Sequence, residues 1–543
     1  MGADAAHRPL AVADKKADVI SMKGGVAMVR TGEKGTAAAR RRPRVFMTGA
    51  SGGMGMASLK QMLPDVGEAY DLVVLVRDSE KNRSEMAPFE GTSGLEVVWG
   101  DLDDNEAVRR CLLDTDLVLH IAAFVSPAAD YHPKKAMHVN FGGTKRLVDT
   151  IHELGQDEKT AFVYIGTVAE TGDRMPPIHW GRVGDPIKPS MFDYYAVSKV
   201  AAERYVIESG LARWASLRQT GIIGPAMVKI RDAIQFHNCL YNVLEYCSDR
   251  DSGRAMAHLA EYDAAGTLDP SFWCHVYNIG GGAPCRVSTI DMYRKLYGEL
   301  GFTSLDPVID NKYVATRNFH GQYYLDSDKL EGFLHFRSDS MQYFYDEYLK
   351  AMGPAAIGSA RFLCRIPGGQ HLMGSIIKKS TFDALLDAEH GTRHFIQADM
   401  DDRIDAYWGS RAAWEKLPEK VSDMPAFTDW DHVVHIDHGY DESKPEEELS
   451  IEDMRGAAEF RGGKLLSTQM CTGDWRGKLR FRCAFGHEFE ASPCLVLEGG
   501  HWCPVCEAKS WNYGARAKVD PFFAQVWNPL HSSDEMREYP KEC

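Results

Sequence analysis

Two residues with acid/base potential stand four positions apart in the stretch "FDYYAVSKVAAERYVIESG". Tyr195 and Lys199 would lie on one face of a helix, because side chains four residues apart are neighbours there. A lysine cation beside a phenol favours the phenolate and lowers the phenol pKa, which suits proton exchange with a substrate hydroxyl. Thr167 ends the apolar run "AFVYIGT", and its hydroxyl could hydrogen-bond a substrate oxygen that gains charge. These residues predict proton transfer at a substrate oxygen.

A second group of reactive side chains lies near the C-terminus. Cys483 and His487 are four apart, and Cys503 and Cys506 are three apart in "CPVC". Two such pairs can converge on one tetrahedral ion, and mixed sulfur and imidazole ligands suit Zn²⁺. Because four protein ligands leave no open position for substrate, the sequence predicts a structural zinc site.

The surroundings of these ligands define a candidate module. Cys471 and Cys494 could replace one ligand, but neither has a partner at the same spacing. The passage from "AAEFRGGKLLSTQM" to "WCPVC" resembles zinc-ribbon or treble-clef modules, some of which are attached to nucleic-acid enzymes. A Rossmann-based nucleic-acid-binding or regulatory protein is therefore an alternative of another class. The nearly balanced charge of this tail argues against nucleic acid as a partner.

The elements that position the first group alternate between strand and helix. Near-continuous apolar runs predict strands buried on both faces of a parallel sheet: "RVFMTGA", "DLVVLVRD", "LEVVWGD", "DLVLHIAA" and "AFVYIGT". The sequence predicts a Rossmann-type, doubly wound α/β fold. Beyond about residue 220, "IQFHNCLYNVLEYC" and "SMQYFYDEYLKAMG" predict helices of a smaller substrate lobe.

A glycine-rich turn follows the first predicted strand in "VFMTGASGGMGMASLKQML". Gly49, Gly52 and Gly55, with Ser51 between them, would keep the turn tight and let the backbone approach a pyrophosphate at the helix N-terminus. Because the triplet follows a strand and opens a helix within a βαβ unit, it predicts a dinucleotide site.

The ends of the next strands bear on the choice of dinucleotide. Arg77 ends the second strand, where it can pair with the 2′-phosphate of NADP, although the adjacent Asp78 keeps NAD open. Asp101 follows the third strand, where a carboxylate can accept a hydrogen bond from the adenine amino group. The predicted cofactor is NADP or NAD.

Several motifs in order resemble the extended short-chain dehydrogenase/reductase family, also called the NAD-dependent epimerase/dehydratase family. They span about residues 44 to 350 and comprise "TGASGGMG", "GDLDD", "HIAA", "VNFGGTKRLV", "YAVSK" and "VYNIGGGAP". The resemblance implies that Thr167, Tyr195 and Lys199 form a catalytic triad and that Lys199 also holds the nicotinamide ribose. His120 and Asn140 are expected to support the fold.

Leu102 in "GDLDD" and Ala122 in "HIAA" complete the predicted cofactor site. The resemblance leaves the reaction open, because the family contains epimerases, dehydratases and reductases. Sugar-nucleotide 4,6-dehydratases place Asp and Glu after the strand-end Thr, whereas this chain has Val168 and Ala169, with Glu170 one step later.

The segments "VLVRDSEKN" and "HIAAFVSP" are more similar to the dihydroflavonol reductase and 3β-hydroxysteroid dehydrogenase branch of the family than to its epimerases. We therefore expect an NAD(P)-dependent oxidoreductase that interconverts a secondary alcohol and a ketone. A sugar-nucleotide epimerase is the alternative. The expected partner is a small substrate bearing a hydroxyl or ketone, and family resemblance alone predicts a homodimer.

Composition limits the class of protein. The chain has 543 residues, 44% of them hydrophobic, and a formal net charge of −15, which disfavours broad contact with nucleic acid or anionic membranes. The sequence contains neither a run of ~18 apolar residues nor a secretory signal pattern, so a cytoplasmic protein without membrane contact is expected. The predicted division is a flexible tail at 1–43, the extended dehydrogenase domain at 44–352 with its Rossmann core at about 44–220, an unassigned region at 353–454 and a zinc-ribbon-like domain at 455–543.

Overall fold

Seven parallel strands form the central sheet of the computed structural model, which describes residues 41–543. The predicted flexible tail lies outside these residues except for its last three positions. In chain order the strands are β1 (Arg44–Thr48), β2 (Asp71–Val76), β3 (Leu95–Trp99), β4 (Leu117–His120), β5 (Ala161–Thr167), β6 (Trp214–Gln219) and β7 (His275–Ile279). Their order across the sheet is β7-β6-β5-β4-β1-β2-β3, with every pairing parallel.

The sheet confirms the predicted Rossmann-type architecture. Strands β1 to β5 coincide with the five apolar runs, and all seven residues of β5 are buried, as a strand covered on both faces requires. The sheet also extends past residue 220, because β7 pairs with β6 on the side of β5. The order reverses between β1 and β4, which is where a doubly wound sheet opens a ligand crevice at the carboxyl ends of its strands.

Helices cover both faces of this sheet. Gly53–Met62 and Asp249–Ala265 pack on one face, and Asn105–Leu112, Gly143–Glu153 and Tyr194–Ile207 pack on the other. The latter helix, Tyr194–Ile207, is called the Tyr195 helix below. The other helices of at least seven residues before residue 353 are Glu80–Met86, Thr289–Glu299, Ser327–Leu334 and Met341–Met352.

The structure confirms one of the two helices predicted for the substrate lobe and contradicts most of the other. "SMQYFYDEYLKAMG" forms the helix Met341–Met352. In "IQFHNCLYNVLEYC" only Ile234–His237 is α-helical, and Val243–Glu245 is a strand paired antiparallel with Arg286–Ser288. The helix prediction is wrong there because the buried Glu245 carboxylate accepts a 2.7 Å hydrogen bond from Nε of Arg286 across the two strands.

Short helices fill the unassigned region between residues 353 and 454. Their bounds are Pro354–Arg365, Gly369–Ile377, Asp383–Leu386, Thr392–Gln397, Asp401–Trp408 and Arg411–Glu415, and Ile451–Phe460 follows across its end. Apolar residues of this region, including Phe395, Tyr407 and Trp408, share a buried cluster with Phe192 and Tyr194 at the start of the Tyr195 helix. The region therefore packs against the part of the fold that carries the predicted catalytic residues.

A small β-hairpin organises the C-terminal residues. Leu479–Arg482 pairs antiparallel with Glu488–Ala491 and with Lys464–Leu465, and the helices Pro504–Lys509, Tyr513–Ala517 and Pro521–Trp527 follow. Phe481, Leu495 and Trp502 belong to the same buried cluster as Phe162 and Trp214 of the sheet. Residues 42–543 thus form one compact unit. Within residues 41–543, every helix is too short or too polar to cross a membrane.

Candidate active site and metal cluster

The glycine-rich turn joins β1 to the helix Gly53–Met62 at the carboxyl edge of the sheet. Gly49 has a φ of +80°, and a Cβ there would lie 2.8 Å from the Ala122 backbone nitrogen. A Cβ at Gly55 would lie 2.0 Å from the Gly49 carbonyl oxygen. Both positions therefore require glycine. No side chain caps the helix at Gly52, and the Gly52 N–H donates to the Gly49 carbonyl oxygen at 2.9 Å. A helix N-terminus of this kind favours an anion such as a pyrophosphate, and Ser51 in the turn is half-buried.

Two arginines flank the end of β2. Arg77 is exposed, and within residues 41–543 the structure records no ion pair of its guanidinium. The neighbouring Asp78 is engaged by Arg83, whose Nε lies 2.6 Å from Oδ1, while the Arg83 guanidinium stacks 4.5 Å from the Trp99 ring centroid. Arg83 could not be predicted from the strand end, because it lies seven residues beyond Val76, within the following helix. The Asp78–Arg83 pair leaves Arg77 as the side chain available to a ribose substituent.

The other predicted cofactor residues lie along the same edge. Asp101 is exposed just beyond β3, and Leu102 is buried beside it. The backbone N–H of Ala122, after β4, donates to Oγ1 of Thr48 at 3.1 Å. The turn, Arg77, Asp101, Leu102 and Ala122 therefore follow the carboxyl ends of β1 to β4, at the edge where a doubly wound sheet opens its ligand groove.

Thr167, Tyr195 and Lys199 meet beside this groove. Thr167 ends β5, and its side chain hydrogen-bonds the Tyr195 side chain. Tyr195 and Lys199 occupy successive turns of the Tyr195 helix. Nζ of Lys199 lies 4.1 Å from the centroid of the Tyr164 ring, and the Lys199 side chain is only 2% exposed. The structure therefore brings together all three predicted catalytic residues.

The proton affinities of this group differ from the sequence-based expectation. Burial raises the pKa of Tyr195 above its usual value, and the hydrogen bond from Thr167 offsets only part of that shift. Burial also lowers the pKa of Lys199 to about 8, against the opposing effects of the Glu170 and Glu203 carboxylates. Because burial is the largest influence on the Tyr195 pKa and raises it, the phenol stays protonated at neutral pH.

Glu170 is bonded inside the fold beside Thr167. Its Oε1 accepts a hydrogen bond from the Thr167 backbone N–H at 2.9 Å, and its Oε2 lies 3.3 Å from Nε of Arg218. The Glu170 side chain is fully buried, and Val168 and Ala169 beside it are apolar. Glu170 therefore occupies a capping and ion-pairing position.

His120 and Asn140 hold the loops around the groove. Nδ1 of His120 lies 2.8 Å from Oγ1 of Thr48, and its Nε2 lies 3.0 Å from Oγ1 of Thr144. Burial, followed by the Lys199 cation, lowers the pKa of His120 to about 3, so the ring is neutral.

Asn140 bridges two parts of the site. Its side chain accepts from the Phe124 N–H at 2.7 Å and donates to the Phe124 carbonyl at 2.9 Å. Nδ2 also lies 2.8 Å from Oγ of Ser198, on the Tyr195 helix. Asn140 thereby ties the loop after β4 to this helix, which agrees with the expected role in fold support.

A cavity lies beside the N-terminus of the Tyr195 helix. Asp130 lines it and accepts a 3.1 Å hydrogen bond from the Tyr195 backbone N–H. His390, Arg403 and Tyr407 of the region 353–454 form another part of its wall. The region without an assigned role in the sequence thus encloses space next to the predicted catalytic residues.

The four predicted metal ligands converge in the C-terminal module. Sγ of Cys483 and Sγ of Cys506 lie 3.9 Å apart. Nδ1 of His487 lies 3.4 Å from Sγ of Cys483, 3.7 Å from Sγ of Cys503 and 3.3 Å from Sγ of Cys506. A tetrahedral Zn²⁺ with ordinary bond lengths separates two sulfur ligands by about 3.8 Å, and sulfur from nitrogen by about 3.5 Å. The ligand set therefore fits a zinc ion.

The two alternative cysteines lie outside this cluster. Cys471 is exposed. Cys494 is buried, and its Sγ lies 3.7 Å from both the Cys274 carbonyl oxygen and Oε2 of Glu498. The hairpin turn supplies Cys483 and His487, and the start of the helix Pro504–Lys509 supplies Cys503 and Cys506.

Part of this chain is similar in sequence to known proteins. Residues 45–244 match the model of the NAD dependent epimerase/dehydratase family. A D-erythronate dehydrogenase from Cupriavidus necator is 33% identical over 108 residues, or 20% of this chain and 32% of that protein. An inverting UDP-N-acetylglucosamine 4,6-dehydratase from Campylobacter jejuni is 28% identical over 112 residues, or 20% of this chain and 33% of that protein. The match therefore spans about a third of each relative.

Solved structures of similar fold include two enzymes with bound NAD. A double mutant of DesIV, a dTDP-glucose 4,6-dehydratase from Streptomyces venezuelae, is 23% identical, covers 57% of this chain and 98% of its own, and has a TM-score of 0.44. A UDP-glucuronic acid 4-epimerase from Bacillus cereus is 21% identical, covers 58% and 99%, and has a TM-score of 0.41. The family match covers residues 45–244, and the C-terminal module lies outside the matched range.

Proposed function

We propose that this chain is an NAD(P)-dependent oxidoreductase that interconverts a secondary alcohol and a ketone. The observation that carries the proposal is the meeting of Thr167, Tyr195 and Lys199 beside the glycine-rich turn, at the carboxyl edge of a Rossmann sheet. Apart from this meeting, the family match of residues 45–244 supports a nicotinamide dinucleotide as cofactor.

In this proposal Thr167, Tyr195 and Lys199 have different roles in the reaction at the substrate oxygen. Thr167 hydrogen-bonds the oxygen, and Tyr195 delivers a proton to it during ketone reduction or removes one during alcohol oxidation. Lys199 binds the nicotinamide ribose and supplies a positive charge near the phenol. The bound nicotinamide supplies the chemistry of hydride transfer. The protonated phenol is the form that can donate a proton during ketone reduction.

The choice of a redox reaction over elimination depends on Glu170. A 4,6-dehydratase needs an acid and a base at the substrate, whereas Glu170 is buried and bonded to Thr167 and Arg218. One curated relative is a dehydrogenase and another is a 4,6-dehydratase. The position of Glu170 favours the dehydrogenase of the two. A sugar-nucleotide epimerase is the second candidate, because the matched family model includes epimerases in its name.

The cavity beside the Tyr195 helix suits a small polar substrate. It combines the rings of Phe192 and Tyr407 with the polar groups of Asp130, His390 and Arg403. Such a lining can stack on the apolar side of a substrate while it hydrogen-bonds several hydroxyls. We therefore expect a hydroxylated small molecule with one carbonyl or secondary hydroxyl near Tyr195.

The cofactor preference is tested at Arg77. Arg77→Ala should raise the Kd of NADPH by roughly tenfold or more and leave the Kd of NADH nearly unchanged, because a guanidinium–phosphate pair is lost only with NADPH. Fluorescence titration of both reduced cofactors measures the two constants. Arg109→Ala, an exposed arginine on the helix after β3, is the control and should change neither. Equal weakening of both cofactors would contradict the 2′-phosphate contact.

The C-terminal ligand set is proposed to hold one structural Zn²⁺. All four positions of a tetrahedral ion would be filled by Cys483, His487, Cys503 and Cys506, whose ligand atoms lie within 4.8 Å of one another. The exposed arginines of the hairpin, Arg480 and Arg482, both pair with Glu488. This pairing and the docked position of the module favour a structural site over a nucleic-acid surface.

A substrate screen tests the proposed reaction. Purified protein is mixed with NADPH or NADH and with a panel of hydroxylated ketones, keto acids and nucleotide sugars, while the absorbance of the reduced cofactor is followed. We expect cofactor consumption in proportion to the ketone added. Conversion of a nucleotide sugar at constant cofactor absorbance would identify an epimerase instead.

A further inference from the structure

A continuous path of buried polar contacts starts in the metal-binding segment. Residues 499–507 include Cys503 and Cys506 together with His501. Nε2 of His501 lies 2.9 Å from Oε2 of Glu203, and both side chains are fully buried. The Gly499 carbonyl accepts a 2.7 Å hydrogen bond from Nη2 of Arg218. The segment that carries two metal ligands therefore contacts a buried acid and a buried base of the Rossmann part.

Glu203 connects this segment to the Tyr195 helix. Tyr195, Lys199 and Glu203 follow one another at intervals of four residues on this helix, so they share one face of it. Glu203 accepts two hydrogen bonds from Arg218, 3.0 Å from Nε to Oε1 and 2.6 Å from Nη2 to Oε2. This bidentate geometry fixes the orientation of both side chains.

Arg218 extends the path to the end of β5. Its Nε lies 3.3 Å from Oε2 of Glu170. Oε1 of Glu170 in turn accepts the backbone N–H of Thr167 at 2.9 Å. The path from His501 thus reaches both structural supports of the predicted catalytic group, the Tyr195 helix and the Thr167 backbone.

A second contact holds the same segment from its other side. Nη2 of Arg204, also on the Tyr195 helix, donates to the Trp502 carbonyl at 2.6 Å and lies 2.9 Å from Oε2 of Glu507. Glu507 also accepts the Trp502 backbone N–H at 2.7 Å. The helix therefore binds the segment through two consecutive residues, Glu203 and Arg204.

Buried charges of this kind need every partner in place. Loss of one partner leaves an uncompensated charge in a medium of low polarity, and the remaining side chains then reorient or admit water. Within the path, His501 and the Gly499 carbonyl come from the metal-binding segment. A metal ion on Cys503 and Cys506 would hold that segment in the position where His501 and Gly499 complete the path.

We propose that the C-terminal metal module positions the catalytic group through His501, Glu203, Arg218 and Glu170. The inference rests on the proposed function of Thr167, Tyr195 and Lys199. It gives the C-terminal module a role in catalysis as well as in folding. His501, Glu203 and Arg218 are positioning residues in this proposal, because their side chains bond to one another and to the supports of the catalytic group. A metal ion held by Cys483, His487, Cys503 and Cys506 would act on the rate of hydride transfer only through these positioning residues.

Three variants test this inference by hydrogen–deuterium exchange and by kinetics. His501→Ala removes the contact to Glu203. His501→Gln restores a donor, since its Nε2 can take the place of the imidazole Nε2. Ser492→Ala is the matched control: it removes a 2.7 Å module contact to Glu208 at the far end of the same helix. Zinc content of each protein is measured by elemental analysis.

We expect His501→Ala to retain zinc and to speed exchange by about tenfold in peptides covering residues 161–171 and 194–203, while β3 and the helix Asn105–Leu112 stay protected. Its kcat should fall by about 10- to 100-fold, a loss typical of misplaced catalytic groups, with the Kd of the reduced cofactor close to wild type. His501→Gln should recover part of both losses, and Ser492→Ala should show neither.

The exchange data separate this inference from the proposed function. If no substrate is turned over, exchange and zinc content still show whether His501 orders the Tyr195 helix. Unchanged exchange at residues 161–171 and 194–203 in zinc-loaded His501→Ala would overturn the inference. If His501→Ala does not fold, exchange is compared in wild-type protein before and after a chelator removes the zinc. Unchanged exchange in the same peptides after zinc removal would also overturn the inference.

Discussion

Tyr195→Phe should lower kcat by roughly 100- to 10,000-fold, the range typical of a lost general acid or base. The phenylalanine ring fills the same space on the Tyr195 helix but carries no proton for the substrate oxygen. The substitution removes only the hydroxyl that bonds the Thr167 side chain. The fold and the dinucleotide groove should therefore persist. Steady-state kinetics and fluorescence titration with the reduced cofactor measure the two effects separately.

The neighbouring Tyr194 supplies a matched control for this substitution. It is buried, and its ring packs edge-to-face against Trp511 at a centroid distance of 5.4 Å. Tyr194→Phe removes the same hydroxyl from the same helix without touching Thr167, so it should retain close to wild-type kcat. Full activity of Tyr195→Phe, or an equal loss in both variants, would contradict the role of Tyr195.

Cys503→Ser should release the metal and lower the stability of the fold more than any other proposed substitution. A serine hydroxyl is a poor zinc ligand, and the binding free energy of a structural zinc ion contributes directly to folding. We expect the zinc content to fall from one ion per chain to near zero. We also expect the midpoint of thermal unfolding to fall by roughly 10 °C, since the hairpin, the segment 499–507 and their contacts with the sheet loosen together.

Cys471→Ser is the matched control, because Cys471 is exposed and lies outside the ligand cluster. It should bind one zinc ion and unfold at the wild-type temperature. Elemental analysis and calorimetry on both variants provide the comparison. A Cys503→Ser protein that keeps one zinc ion with unchanged stability would contradict the four-ligand site.

The sheet could be predicted because each of its first five strands is a short, nearly continuous apolar run in the sequence. In "AFVYIGT" every residue is apolar or small, and all seven are buried as β5. The glycine turn was predictable for a similar reason, since Gly49 and Gly55 have no room for a Cβ. The convergence of the four metal ligands followed from their spacing alone, with the hairpin and the following helix bringing the pairs together.

Long-range packing explains what the sequence did not predict. "NVLEYC" has a helical appearance, but Glu245 becomes a strand residue because Arg286, 41 positions later, pairs with it in the interior. The pKa of Tyr195 depends on burial, and burial is not visible in the spacing of Tyr195 and Lys199. Likewise, no local pattern marks His501 as the partner of Glu203, since 298 residues separate them.

The most direct test of the oxidoreductase assignment follows a label from cofactor to product. A ketone identified in the substrate screen is reduced with NADPH or NADH that carries deuterium on the transferred position of C4, and the product is examined by mass spectrometry while cofactor consumption is recorded. The account predicts one deuterium on the new carbinol carbon for each reduced cofactor consumed. Product that forms without deuterium and without net cofactor consumption would contradict it.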